Sequence, residues 1–158
     1  MNSKGVESIL AQLVGKKLLQ VNVDKSTGSI FSIDIGNELI QIKKKGMIFH
    51  EGEYIIMVYC SWRLLNTISN IPVTGWHEDS APNGALNVGL KTLVNDTIKE
   101  VGVTDCFDLE IIFESGKRLD IFCDLTTHVD ADTNWFFKAN GKYYSISNSL
   151  DCKQDNTS

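Results

Sequence analysis

The chain has 158 residues, of which 42% are apolar and 22% are charged, and its formal net charge is −5 at pH 7. This length supports one domain around a single core, and the composition excludes a disordered, fibrous or disulfide-scaffold protein. The acidic balance, with only two arginines, argues against a protein that binds nucleic acid through its phosphates.

The N-terminal segment and the cysteines bear on location. No long apolar run follows Lys4, and no stretch approaches the roughly 18 apolar residues of a membrane span. Cys60, Cys106, Cys123 and Cys152 lie too far apart in sequence for the close pairs of a structural zinc site, so we expect free thiols. The sequence therefore predicts a cytoplasmic protein without membrane contact.

The first half of the chain predicts one helix followed by strands. Apolar residues within 6–14 recur at helical spacing. The segment 29–35 alternates polar and apolar residues, and 38–42 is expected to return beside it after a two-residue turn that begins at Gly36. The run 53–60 has the continuous apolar character of a more fully buried strand.

A long connection follows these strands. The segment 66–83 contains two prolines and mostly polar residues, and such connections are uncommon in compact domains unless they are functional or flexible. It carries Trp76 and His77. An exposed Trp76 would make the connection a binding element, whereas a Trp76 packed on the core would make it a lid over the junction of the two halves.

The second half predicts a weaker helix within 86–94 and then a hairpin with the three-residue loop 115–117. In this register Asp108 lies directly opposite Asp124, and two such carboxylates repel each other. Apolar side chains lie among the acids, which is more typical of a docking patch than of a metal cage. A solvated sheet face or a covering helix would also explain the pattern. The predicted partner-binding surface, here called the acidic face, consists of Asp108, Glu110, Ile112, Asp120, Phe122 and Asp124.

The two halves are similar to each other in sequence. The segment 13–23 parallels 93–103 without a gap, and 31–35 matches 109–113 after one. Two copies of so long a period indicate two similar units around one core rather than a solenoid, with chance similarity between amphipathic strands as the alternative. The expected fold is α+β and mainly antiparallel β, with two degenerate repeat halves, each a helix followed by β-hairpins: a single domain at 1–150, halves at about 5–65 and 84–147, and a flexible tail at 151–158.

The sequence contains no strong catalytic motif. It has neither a Gly-x-Ser-x-Gly elbow nor a phosphate-binding loop. The strings that begin at His77 and at His128 hold metal-ligand residue types without the spacing of zinc or calcium motifs, so we expect no metal and no cofactor. The alternative function is a small-ligand-binding protein or a metal-dependent enzyme that uses a crevice between the halves. That crevice would be lined by Trp62, Arg63, Trp76, His77 and His128.

Three motifs carry a resemblance to a known group. They are the Leu-x-Gly-Lys opening at 13–16, the Cys-x-Trp-Arg element at 60–63 and the Asp-Leu-x-Ile-x-Phe hairpin at 108–113. Together they resemble small bacterial β-rich proteins of unknown function, similar to the immunity proteins found near polymorphic toxins. The resemblance covers about residues 10–147 and implies no catalytic residue. Such proteins usually have a Gly-Ser element where this chain has Gly75-Trp76-His77.

These observations lead to one expected function. We expect a non-enzymatic cytoplasmic protein that binds a basic partner, such as a toxin domain, through the acidic face. Complementary charge would accelerate the encounter and favour one partner over others. The sequence leaves the oligomeric state open.

Overall fold

The computed structural model describes residues 1–24, 26–127 and 132–155. The elements in these ranges are mostly antiparallel strands with two short helices, which confirms the α+β, mainly antiparallel β class. In chain order they are α1 (Ser3–Leu10), a 3₁₀ turn (Ala11–Leu13), β1 (Lys17–Val23), β2 (Phe31–Gly36), β3 (Ile40–Lys44), β4 (Met47–Glu51), β5 (Tyr54–Val58), β6 (Ser61–Asn66), β7 (Ile71–Gly75), α2 (Ala85–Lys91), β8 (Ile98–Val103), β9 (Leu109–Phe113), β10 (Lys117–Phe122), β11 (Thr133–Ala139), β12 (Lys142–Ser147) and β13 (Cys152–Asp155).

Two large sheets share one core. The first sheet has six strands in the order β1-β2-β5-β11-β12-β13, and the second has five in the order β7-β6-β10-β9-β8. The buried faces of both sheets and of both helices contribute to one apolar cluster. The hairpin β3–β4 stands apart as a third, two-stranded sheet.

The two large sheets have the same internal order. The first contains three strands from the first half of the chain, then β11 and β12 from the second half. The second contains β8, β9 and β10, then β6 and β7 from the first half. Each sheet therefore combines three strands of one half with two of the other, and the first sheet has β13 as an additional edge strand. Helix α1 correspondingly packs against β8, and α2 packs against β1.

The backbone hydrogen bonds at the junction between the sheets form equivalent pairs when residues 13–23 are aligned with residues 93–103. Segment 15–18 lies beside its counterpart 95–98, with Lys17 bridged to Thr97. Each hydrogen bond donated by a residue of one segment has an equivalent bond donated by the aligned residue of the other segment. The bonds are Gly15 N to Ile98 O (2.8 Å), Asn95 N to Leu18 O (2.8 Å), Leu18 N to Asp96 O (3.0 Å) and Ile98 N to Lys16 O (2.9 Å).

Two buried tryptophans occupy corresponding places. Trp62 in β6 donates its indole N–H to Ser29 O at 2.9 Å, just before β2. Trp135 in β11 donates to Phe107 O at 3.0 Å, just before β9. Each indole therefore ties a strand of one sheet to the loop that precedes a strand of the other sheet, β2 for Trp62 and β9 for Trp135. A buried indole N–H needs such a partner.

Local chemistry explains where the helices begin and how closely they pack. The Asn2 side chain accepts a hydrogen bond from Gly5 N at 2.9 Å and so caps α1. Gly89 allows α2 to approach β7, because a Cβ at this position would overlap the Thr74 side chain. Neither helix in the described ranges has the length and apolarity needed to cross a bilayer.

Two local expectations were wrong, and part of the segment expected to be a tail forms a strand. Residues 38–42 do not return beside 29–35; β3 pairs with β4, because both edges of β2 are occupied by β1 and β5. The β9–β10 hairpin has the loop 114–116 instead of 115–117, and Gly116 takes φ +87° there, so Arg118 lies opposite Ile112. Within the expected flexible tail, Cys152–Asp155 forms β13 on the edge of β12, with Cys152 buried.

Candidate functional site

The acidic face lies on the outward side of the second sheet, where Asp120 is its centre. Asp120 lies between Glu110 of β9 and Arg63 of β6 in the cross-strand register. Its side chain is only 8% exposed. Arg63 Nε donates to Asp120 Oδ2 at 3.0 Å, and Arg118 Nε lies 3.0 Å from Asp120 Oδ1. Both arginines of the chain therefore neutralise this carboxylate.

The other residues of the acidic face are in different environments. Glu110 lies opposite Asp120 with its side chain half exposed, and its carboxylate is 3.8 Å from Arg118. Phe122 is 36% exposed, and the Arg63 guanidinium lies 4.9 Å from the centre of its ring. Ile112 is half-buried opposite Arg118. The face thus combines exposed carboxylate, guanidinium and aromatic groups and is less acidic than the sequence alone indicates.

Asp108 and Asp124 do not form the opposed pair that the sequence predicted. Asp108 accepts a hydrogen bond from Cys123 N at 2.7 Å and is half-buried. Asp124 is exposed beyond the end of β10, and its backbone N–H donates to Asn134 Oδ1 at 2.9 Å. The like-charged pair in the ladder is instead Glu110 and Asp120, and the two arginines relieve its repulsion.

The pairing of Arg63 with Gly75 brings Trp62 and Arg63 beside Trp76 and His77, but Trp62 and Arg63 face opposite sides of the second sheet. Trp62 is buried in the core, whereas its neighbour Arg63 points to the outward side of the second sheet. Trp76 is half-buried against the core with the exposed His77 ring 3.9 Å away, centre to centre. His128 lies outside the described residues. The segment 66–83 is therefore not one long connection, because Ile71–Gly75 forms β7 at the edge of the second sheet and Trp76, just after it, packs on the core.

The chemistry of the thiols and carboxylates gives no support for catalysis. All four cysteines are free. A hydrogen bond with Cys123, together with burial, raises the pKa of the Cys60 thiol, and burial raises the pKa of Cys152. Both groups are therefore protonated at neutral pH and are poor nucleophiles. Within the part of the chain that the structure describes, no group of three or more His, Cys, Asp or Glu side chains could hold a metal ion.

The hairpin β3–β4 is a surface feature that the sequence did not single out. Its base is anchored by three contacts: Lys138 Nζ to Glu51 Oε2 at 3.1 Å, Gln20 Nε2 to His50 O at 2.9 Å and Gly52 N to Asp34 Oδ1 at 2.8 Å. Beyond this base, most of its apolar side chains are exposed: Ile40 52%, Met47 61%, Ile48 55% and Phe49 41%. Three lysines, here called the tip lysines, lie at or beside its turn: Lys43, Lys44 and Lys45.

A cavity with a volume of about 630 Å³ lies between α2 and the β1–β2 hairpin. Its wall presents the apolar Val21, Val23 and Phe31, with polar residues beside them, and on the side of α2 the polar Asn87 and Lys91. This crevice does join the two halves of the chain, but through residues different from those predicted.

Comparison of the chain with models of known protein families, with curated proteins and with solved structures gives no match. The resemblance to immunity proteins therefore stays a prediction. The exposed hairpin, the acidic face and the cavity beside α2 are the features that bear on function.

Proposed function

We propose that this chain is a non-catalytic protein-binding module that docks through the hairpin β3–β4. One observation carries the proposal: Ile40, Met47 and Phe49, each between 41% and 61% exposed, lie on one side of a separate two-stranded sheet, and Ile48 is 55% exposed on its other side. Single exposed apolar residues are ordinary on protein surfaces, whereas a contiguous group of them marks an interaction site. The anchored base holds this group in a fixed position, which lowers the entropic cost of docking.

The register of the hairpin indicates the chemistry of the partner. Ile42 lies opposite Phe49, and Ile40 and Met47 share their side of the ribbon because residues two apart on a strand face the same way. Lys44, opposite Met47, borders the same side at the tip. A fitting partner therefore presents an apolar groove with carboxylates at the end that receives the tip lysines.

We infer in addition that the chain is an internal duplication with this hairpin inserted into the first copy. The shared strand order, the matched hydrogen bonds at the junction and the paired tryptophans support this inference. Where the second half has the short loop 114–116 between β9 and β10, the first half has 37–53 between β2 and β5. An element that one copy folds without is dispensable for the architecture, which favours a role in recognition.

Affinity capture from extract of the native cells tests the proposed docking element. The bait is wild type beside the triple variant Ile40→Ser, Met47→Ser and Phe49→Ser, whose side chains are exposed and so should not affect folding. Each truncation should weaken binding by about 1 kcal/mol, so the triple variant should lose about a hundredfold in affinity. Circular dichroism and thermal melting confirm that the variant is folded.

The matched control is Glu110→Lys on the acidic face. A partner retained at unit ratio by wild type and by this control, and lost by the triple variant, supports the hairpin. The same partner retained by the triple variant contradicts it, as does a wild-type chain that retains only copies of itself.

A basic partner on the acidic face is the second candidate, and the immunity-like role with a toxin domain belongs to it. The observation that favours it is the half-exposed Glu110 beside the exposed Phe122 on an open sheet face. In the same capture experiment this role requires loss of the partner with Glu110→Lys and retention with the triple variant. In either form we propose a cytoplasmic location, which the four free cysteines support.

A further inference from the structure

A residue that lines the cavity between α2 and the β1–β2 hairpin has a buried polar atom without a partner. Asn87 lines this cavity, is only 6% exposed, and its carbonyl oxygen Oδ1 has no hydrogen-bond partner among the described residues. A buried acceptor left unpaired is costly, and native proteins rarely keep one without a reason. The volume of about 630 Å³ is within the range of small-molecule sites.

In the first half of the chain, the position that corresponds to Asn87 holds a longer side chain that makes a hydrogen bond. Glu7 on α1 corresponds to Asn87 on α2 in the alignment that relates the two junction segments. Glu7 Oε2 accepts a hydrogen bond from Val103 N at 3.0 Å and so ties its helix to β8. Val23, the counterpart of Val103 in that alignment, lines the cavity together with Asn87. Asparagine is one methylene shorter than glutamate, so the second helix is left with a pocket in place of that contact.

The rest of the lining defines the chemistry of an occupant. Lys91 follows Asn87 by four residues on α2, so the two side chains lie on the same side of the helix. Lys91 is exposed at the cavity and forms no ion pair with any described residue. The facing wall presents the apolar Val21, Val23 and Phe31, with the polar Asp24, Thr27 and Ser32 beside them. An occupant that matches all three features has a hydrogen-bond donor, an anionic group and an apolar body.

We propose that this cavity binds a small carboxylate that carries an N–H or O–H donor on an apolar body, with the donor on Asn87 Oδ1 and the carboxylate at Lys91. An apolar amino acid or an aromatic hydroxy acid has this chemistry. The site is separate from the hairpin β3–β4, so this proposal can be tested independently of the proposed docking function.

Two matched pairs of probes test the donor requirement. L-leucine is compared with isocaproate, which lacks the amino group, and para-hydroxyphenylacetate is compared with phenylacetate, which lacks the hydroxyl. Binding is measured by amide chemical shifts of the full chain during titration to millimolar probe. We expect the donor-bearing member of at least one pair to shift the amides of Val21, Val23 and Asn87 and to bind about tenfold tighter than its partner.

Variants of Asn87 separate a ligand site from a packing defect. Asn87→Glu copies the residue of the first helix and should close the cavity, abolishing probe binding while thermal stability is kept or raised. Asn87→Leu removes the acceptor at similar volume and should remove the difference within each pair. Lys91→Met should weaken every carboxylate probe about equally. Thermal melting of each variant shows that it is folded.

Three results would overturn the proposal. One is the absence of shifts around the cavity with all four probes. Another is equal binding of both members in each pair to wild type and to Asn87→Leu. The third is a crystal structure grown with these probes in which Asn87 Oδ1 accepts only from an ordered water molecule.

Discussion

Replacing Asp120 with alanine should destabilise the protein by about 2–3 kcal/mol. Its side chain is 8% exposed, and its carboxylate lies 3.0 Å from two guanidinium groups, that of Arg63 on the neighbouring strand and that of Arg118 on its own strand. A charge-assisted hydrogen bond contributes about 1.5–3 kcal/mol to stability when both partners are buried from solvent. The Arg63 side chain is 51% exposed and that of Arg118 is 29% exposed, so water replaces part of each lost contact. This solvent screening lowers the expected loss of stability from the two hydrogen bonds to about 2–3 kcal/mol.

Urea unfolding followed by tryptophan fluorescence measures this loss, and double-mutant cycles divide it between the two arginines. The coupling of Asp120 with Arg118 should be about 1–2 kcal/mol, and the coupling with the more exposed Arg63 about 0.5–1 kcal/mol. Asp120→Asn keeps the shape and one acceptor, so it should lose about half as much as alanine.

A loss below about 0.5 kcal/mol for Asp120→Ala, with no coupling to either arginine, would falsify the view that this carboxylate has a structural role, because losses that small are typical of surface ion pairs. Asp120 would then be free to contact a basic partner, and the acidic face would regain the composition that the sequence predicted.

Three further perturbations test the core. The hydrogen bond with Cys123 and burial raise the pKa of Cys60 in the folded chain, so the unfolded chain loses its thiol proton first as the pH rises. Stability is therefore retained below the ordinary thiol pKa and should fall above about pH 8.5 by about 1.4 kcal/mol per pH unit per thiol; an unchanged slope of urea stability against pH in Cys60→Ala would argue against this assignment. Trp135→Phe should cost about 3 kcal/mol, because it removes buried volume and leaves Phe107 O without its indole donor; a loss under about 1 kcal/mol by urea unfolding would count against it. Gly89→Ala should lower the melting temperature despite the better helix propensity of alanine, since the new Cβ would overlap the Thr74 side chain; a raised melting temperature would contradict the close packing.

The sequence was informative where structure is local. Alternation in 109–113 placed Leu109 and Ile111 on the buried face, and the structure agrees. The hairpin loop was misplaced by one residue, which shifts the cross-strand register by two. A shift of two preserves which side each residue faces, so the faces were right while the opposed pairs were wrong.

The candidate sites were less predictable because they depend on distant contacts. Arg63 and Asp120 are 57 residues apart in sequence, and no local pattern indicates that a crossing strand brings them together. The Lys43-Lys44-Lys45 run was visible in the sequence. Alternation of polar and apolar residues alone does not show that Met47 on the opposite strand is exposed to solvent. The unpaired oxygen of Asn87 is likewise a property of three-dimensional packing, although the equivalent position of Glu7 could have drawn attention to it.

The exchange of strands between the sheets constrains how the chain reaches its native state. When synthesis has passed only β7, strand β5 still lacks β11 at its edge, and β6 still lacks β10. Bare strand edges invite wrong partners, and pairings this distant along the chain close slowly. Completion of both sheets therefore waits until nearly the whole polypeptide has left the ribosome. Halves produced separately should be insoluble alone and should reconstitute each other when refolded together, as complementary fragments of one molecule.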